Sequence, residues 1–148
     1  MVSSSNTAWG TPTALFERID AVFGPFSLDA AANCGHHGDE PANYVCEPYL
    51  CKGCNQDGLK MSWSWKTFVN PPFDDIGSWV EKAITEIDRE GGSKLIVMLL
   101  PVRTGNRWWQ CTLLPTVEHI IYLPGRVKFK GAEAGAKFDS ALAIWWQL

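Results

Sequence analysis

A chain of 148 residues with 46% apolar and 20% charged side chains is one domain of common size, long enough for a real core and too apolar for wholesale disorder. No apolar run approaches the roughly 20 residues that span a bilayer, and Met1 to Asn6 carry neither the basic residues nor the apolar stretch of a signal peptide, so a cytoplasmic protein with no membrane partner is expected. The net charge of −3 conceals a division: from Lys94 onward seven basic residues stand against three acidic, a balance of +4 that leaves −7 for residues 1–93, so the C-terminal half either holds phosphates or is a solvated surface.

Thr11-Pro12 opens a first helix, with Thr as N-cap and Pro in the first turn. Leu15, Ile19 and Val22 recur at helical spacing beside Phe16 and Phe23 until Gly24-Pro25 stops the run. Phe26-Ser27-Leu28 reads as a short strand ending in Asp29. Ala30, Ala31, Ala32 and Asn33 follow, small residues that let a ligand come close to the backbone. An acid at the end of a first strand is how a nucleotide-like cofactor is met in open α/β folds, although the glycine pattern GxGxxG is absent.

Residues 34–56 form a long irregular insertion, and loops of this length are usually functional or mobile. It holds Cys34, His36, His37, Cys46, Cys51 and Cys54. Five cysteines, an odd number unevenly placed, argue against a disulfide framework. Cys51-Lys52-Gly53-Cys54 has the spacing of a zinc knuckle, and Cys34, Cys46, Cys51 and Cys54 together would close a structural zinc site. Free thiols with a chance CxxC are the competing reading, because paired ligand spacing occurs on one side of the cluster only.

The chain is organised around Asn70-Pro71-Pro72-Phe73. This tetrapeptide follows a strand-like run, Thr67-Phe68-Val69, and precedes an amphipathic segment, which puts it on a strand-to-helix turn at the ligand-binding edge of a sheet. An Asn oxygen and a carbonyl held by successive prolines are two acceptors in a fixed array beside an aromatic ring, and they suit an exocyclic NH2 on a flat ring. Turn chemistry alone explains Asn-Pro equally well. Asp74 or Asp75 then caps a helix with Ile76, Trp79, Val80, Ala83, Ile84 and Ile87 on one face, ended by Gly91-Gly92. Leu95 to Leu100 is the candidate central strand, buried on both faces, with Pro101 closing it and Arg103, Thr104 and Arg107 beyond its carboxyl end. Trp108-Trp109 with Leu113 suggests a short helix, and Ile120 to Leu123 another strand. Gly125 to Phe129 alternates basic and apolar residues, and a Gly-rich connection from Gly131 to Lys137 leads to a last strand, Ala141 to Trp146. The expected architecture is an α/β sheet whose C-terminal hairpin gives it an antiparallel edge, in a single domain over residues 1–148. Trp63, Trp65, Trp79, Trp108, Trp109, Trp145 and Trp146 read as core.

Taken in order, Trp9-Gly10-Thr11-Pro12, Phe26 to Ala32, Asp57-Gly58-Leu59, Asn70 to Phe73, Leu99-Leu100-Pro101, Gly125 to Phe129 and Ser140-Ala141-Leu142 resemble the phage-type DNA N6-adenine methyltransferases over residues 9 to about 146. The resemblance implies a compact Rossmann-like fold, S-adenosylmethionine as methyl donor, and a phage gene whose product protects DNA from restriction. It places Asn70, Pro71, Pro72 and Phe73 at the target adenine, with Asn70 and the Pro71 carbonyl accepting from the amine and Phe73 stacking. Asp29 and Ala30 would lie by the donor's methionine part, Thr11 near its carboxylate, Asp57 at its adenine amine and Trp9 close by. No clear acid follows a second strand to hold the donor ribose, and Asp39, Glu40 and Glu47 in the insertion are the candidates. DNA would be held by Arg103, Arg107, Arg126 and Lys128. With no segment for a separate recognition domain, sequence readout falls to the insertion, to residues 125–137 or to the second subunit of a homodimer. The alternatives are methylation of another amine, such as a protein glutamine, or a non-enzymatic DNA- or zinc-binding protein on a decayed methyltransferase fold.

Overall fold

Five strands form one sheet in the order β1-β2-β3-β5-β4, where β1 is Leu28–Asp29, β2 Lys66–Val69, β3 Leu95–Pro101, β4 His119–Tyr122 and β5 Ser140–Trp146. The computed structural model describes residues 10–31 and 57–148. Trp9 and the candidate ligands Cys34, Cys46, Cys51 and Cys54 lie outside the described residues, as do Asp39, Glu40 and Glu47. β1, β2 and β3 pair in parallel, while β5 runs antiparallel to both β3 and β4, so four of the five strands point the same way. This is an α/β arrangement consistent with a methyltransferase fold. The antiparallel strand lies one place in from the edge, where its run of buried residues Ser140 to Trp145 needs cover on both faces.

The two faces alternate along each strand, as the pleat requires. Phe68, Val97, Leu99, Leu142 and Ile144 meet the helix α1, Thr13–Phe23, through its buried Ile19 and half-buried Leu15, Phe16 and Phe23. Ile96, Met98, Leu100, Ala141, Ala143 and Trp145 meet the helix α2, Ile76–Asp88, through Trp79, Val80, Ala83 and Ile87. Trp109 and Leu113 of a π-helical segment, Trp108–Leu113, complete that second layer. Each face therefore has its own helical cover, and β3 sits at the centre of the sheet.

Several expectations need correction. Helix α1 starts at Thr13, Pro12 stands at the boundary with no side-chain cap, and Val22 faces solvent at 74% exposure. The alternation over Gly125–Phe129 forms no strand; the segment belongs to the β4–β5 loop and meets other backbone at Lys130, which bridges to Gly10. Trp65 and Trp146 are not core, being 63% and 42% exposed, and the Lys94 ammonium lies 5.9 Å from the Trp65 ring. Trp63, Trp79, Trp109 and Trp145 are buried as expected. Helix α2 also buries Glu86, which the apolar stripe did not include. Both Glu86 carboxylate oxygens are satisfied, by Lys82 Nζ at 2.6 Å on one side and by Arg89 Nη2 at 2.8 Å and the Trp63 N–H at 3.0 Å on the other. Desolvation pushes this carboxyl up, but those hydrogen bonds and the Lys82 charge outweigh it and hold it below the usual range. No helix among the described residues is long and apolar enough to cross a membrane.

Candidate functional site

The carboxyl ends of β1, β2 and β3 lie on one edge of the sheet, and the β4–β5 loop joins them there. Pro101 is opposite Ser140 and Tyr122 opposite Ala141, so residues 123–139 leave and re-enter the sheet on the edge where β3 ends. Gly10 O accepts from the Lys130 N–H at 2.8 Å, which brings the arm before α1 to the same place. In an open α/β sheet this is the ligand edge.

At the end of β1, Asp29 is half-buried, with Oδ1 taking the Ala31 N–H at 3.3 Å. Burial pushes its carboxyl up to about 7, and the Ala31 hydrogen bond offsets only part of that. A carboxyl so desolvated is one that a positive ligand would ionise and hold. Gly58 packs against Ala30, the residue that follows Asp29, and Asp57 precedes Gly58 in the same turn. A Cβ at Gly58 would collide with the Ala30 carbonyl and the Trp79 ring, so glycine is what permits this close approach of two backbones. The Trp63 indole N–H pins Gly58 O at 2.7 Å. Asp57 Oδ1 accepts from the Leu59 N–H at 2.9 Å, so the residue stiffens its own turn as well as presenting an exposed carboxylate.

Asn70 leaves β2 directly. Its Nδ2 donates to Thr11 Oγ1 at 3.1 Å, so the hydroxyl expected to cap α1 is engaged with the Asn70–Phe73 turn instead. Pro71 is buried, and none of the described residues donates to its carbonyl, whereas the Asp75 N–H reaches Pro72 O at 3.4 Å. Phe73 is half-buried and meets Phe129 at 5.5 Å and Phe138 at 5.3 Å between ring centroids, both edge-on. The ring is held from behind by two residues of the β4–β5 loop. Sequence reasoning gave neither phenylalanine a role at the turn; their position on either side of the Gly-rich connection was the available signal.

The cations lie on the other side of Asn70. Arg103 follows β3 and places its guanidinium 5.8 Å from the Phe138 ring centroid, and Arg107 is exposed at the start of the π-helical segment. Lys128 is exposed on the β4–β5 loop. Arg126 is on that loop too, but its Nε donates to Asp139 Oδ1 at 3.0 Å and Nη1 reaches Ala136 O at 3.4 Å, so it ties the loop together. Ser140 Oγ, buried at the start of β5, has no hydrogen-bond partner among the described residues. Along the edge, then, acids gather at β1, the Asn70–Phe73 turn occupies β2, and bases gather from β3 to β4. Among the described residues no group of three or more His, Cys, Asp or Glu is placed to hold a metal ion.

The profile of the DNA N-6-adenine-methyltransferase (Dam) family matches residues 2–145. The chain belongs to that family. A DNA N-6-adenine-methyltransferase of Escherichia phage T1 is 30% identical over 103 residues, covering 68% of this chain and 38% of the phage protein. One of Haemophilus phage HP1 is 25% identical over 147 residues, covering 94% of this chain and 79% of that protein. The chain thus matches less than half the length of the first relative and most of the second. Family membership puts the Asn70-Pro71-Pro72-Phe73 turn in an adenine-methyltransferase scaffold, with the strand before it and the helix after it as its supports.

Proposed function

We propose that the protein methylates the N6 amine of adenine in DNA with S-adenosylmethionine as donor. The observation that carries this reading is the division of charge on either side of the Asn70–Phe73 turn: a desolvated carboxyl at β1, which suits a cationic cofactor, and exposed bases from β3 to β4, which suit phosphates. Asp29, Ala30 and Asp57 would hold the donor, joined by Trp9 from the arm. When bound, the donor supplies a methyl group on a positively charged sulfur.

The chain's own residues then position and support. Asn70 Oδ1 and the Pro71 carbonyl accept the two hydrogens of the target amine, which localises the nitrogen lone pair and supports the positive charge that grows there. Phe73 offers its ring to the base, stiffened by Phe129 and Phe138. A base in this turn has left the duplex, at a cost of a few kcal/mol. Arg103, Arg107 and Lys128 contact the backbone around it. No nucleophilic cysteine is required. Methylation of this kind shields phage DNA from restriction.

Labelled methyl transfer from S-adenosylmethionine to unmethylated DNA, with the nucleosides separated afterwards, tests the reading. Label in N6-methyladenine is expected, and Asn70→Ala should abolish it by about 100-fold or more while donor affinity stays within about twofold. Label in protein and none in DNA would move the substrate to another amine. Donor binding that is absent altogether would leave a decayed fold. Metal analysis of the purified chain separates zinc at Cys34, Cys46, Cys51 and Cys54 from free thiols: one equivalent per chain, lost on Cys51→Ser with Cys54→Ser, supports the site.

A further inference from the structure

We infer that Thr11 is a positioning residue for Asn70: its buried hydroxyl bonds the Asn70 amide and fixes where that amide stands, and in what plane, at the turn that meets the target amine. The inference rests on the adenine-methyltransferase reading above. An Asn amide has a donor end and an acceptor end of nearly the same shape. A hydroxyl can meet either end, so what Thr11 Oγ1 fixes is the place and plane of the amide, and an amide free to swing would spend part of its time out of reach of the target amine. A site that grips an NH2 through an Asn therefore needs something to hold that amide.

The Nδ2 to Oγ1 hydrogen bond of 3.1 Å joins residues 59 apart in the chain, so it exists only in the folded site. Thr11 is itself fixed. It is 7% exposed, and its β-branched side chain has few χ1 choices. On one side, Gly10 O accepts the Lys130 N–H at 2.8 Å, and a Cβ at Gly10 would sit only 3.0 Å from Lys130 Cβ, so arm and loop are pressed together. On the other side, Pro12 O accepts the Phe16 N–H at 3.0 Å in the first turn of α1. Phe16 packs edge-on against Phe68 at 5.2 Å, two residues before Asn70. The hydroxyl and the amide are thus referenced to the same strand by separate routes.

Thr11→Val removes the hydroxyl at constant shape, and Thr11→Ser keeps it. At saturating donor, Thr11→Val should lower kcat on DNA about tenfold, the order of one hydrogen bond. Donor Kd by calorimetry should stay within about twofold, and Thr11→Ser should recover most of the rate. In an Asn70→Ala background the Thr11→Val effect on kcat should vanish, because the amide it holds is gone. If Thr11→Val does not fold, the kcat ratio of Thr11→Ala to Thr11→Ser reads the same hydroxyl. A Thr11→Val variant whose donor Kd weakens tenfold with kcat intact would make Thr11 a donor contact and overturn the inference. So would an unchanged kcat, or an equal loss in the Asn70→Ala background. Wild-type protein that methylates no adenine in DNA would instead overturn the reading beneath it.

Discussion

Asp29→Asn should separate the stability of the fold from its ability to bind the donor. Burial pushes the Asp29 carboxyl up to about 7 from an ordinary 3.8, so the folded state holds this proton more tightly than the unfolded chain does. The sign follows: stability is undiminished below about pH 4, falls as pH rises towards about 7, and carries a constant deficit above that. A gap of about 3 pH units at about 1.4 kcal/mol each sets the deficit at up to about 4 kcal/mol. Asparagine carries no charge to desolvate. The variant should therefore melt several degrees above the parent at about pH 8 and together with it at about pH 4, as read by scanning calorimetry. Donor affinity should move the other way. A cationic ligand binds the ionised carboxyl, so parent affinity should rise up to tenfold per pH unit until about pH 7 and then level, while the variant binds weakly with no such slope. A variant that melts lower at pH 8, or that keeps both the affinity and its pH dependence, would refute the assignment of a desolvated donor-facing carboxyl.

Glu86→Ala strands the Lys82 and Arg89 charges and the Trp63 N–H, and should cost about 3–5 kcal/mol, lowering the melting temperature by about 10 °C. Because the folded carboxyl sits below its usual range, its contribution is present above that range and lost as pH falls through it, so the variant should differ least from the parent in acid. Arg107→Ala should weaken DNA binding across all sequences and reduce the salt slope by about one in a titration followed by fluorescence anisotropy. Arg126→Ala should change that slope less, since Asp139 already shares its charge, and should alter unfolding by about 1 kcal/mol at most.

Long, strongly patterned stretches were legible from sequence. The uninterrupted apolar run of Leu95–Leu100 made it the candidate for a central strand covered on both faces, and Ile76, Trp79, Val80, Ala83 and Ile87 shared one face at helical spacing, as the structure bears out. The turn between β2 and α2 followed from those two. What escaped was tertiary in origin. Thr11 looked like a cap because local geometry favours it there, but a partner 59 residues away claims its hydroxyl. Glu86 looked like the polar face of a helix, although Lys82 four residues before it and Arg89 three after were the signal that it lies buried among cations. Val127 and Phe129 alternate as a strand would, yet among the described residues no strand pairs with them; Val127 O accepts the Ala136 N–H within the loop, and both side chains pack against the α1-facing core.

The place of β5 bears on how this protein is made. During synthesis β3 emerges with one margin already able to pair with β2, but its other margin, and the whole of β4, have no partner until Ser140–Trp146 arrive. For that interval the nascent chain displays its most apolar segment beside an open row of N–H and C=O groups, the circumstance in which chains associate with one another. A ribosome stalled in the β4–β5 loop would leave a product that carries the Asn70–Phe73 turn without the strand that closes the sheet. Soluble yield should therefore depend on uninterrupted translation of the segment from Leu123 to Trp146 more than on any comparable length of the chain before it.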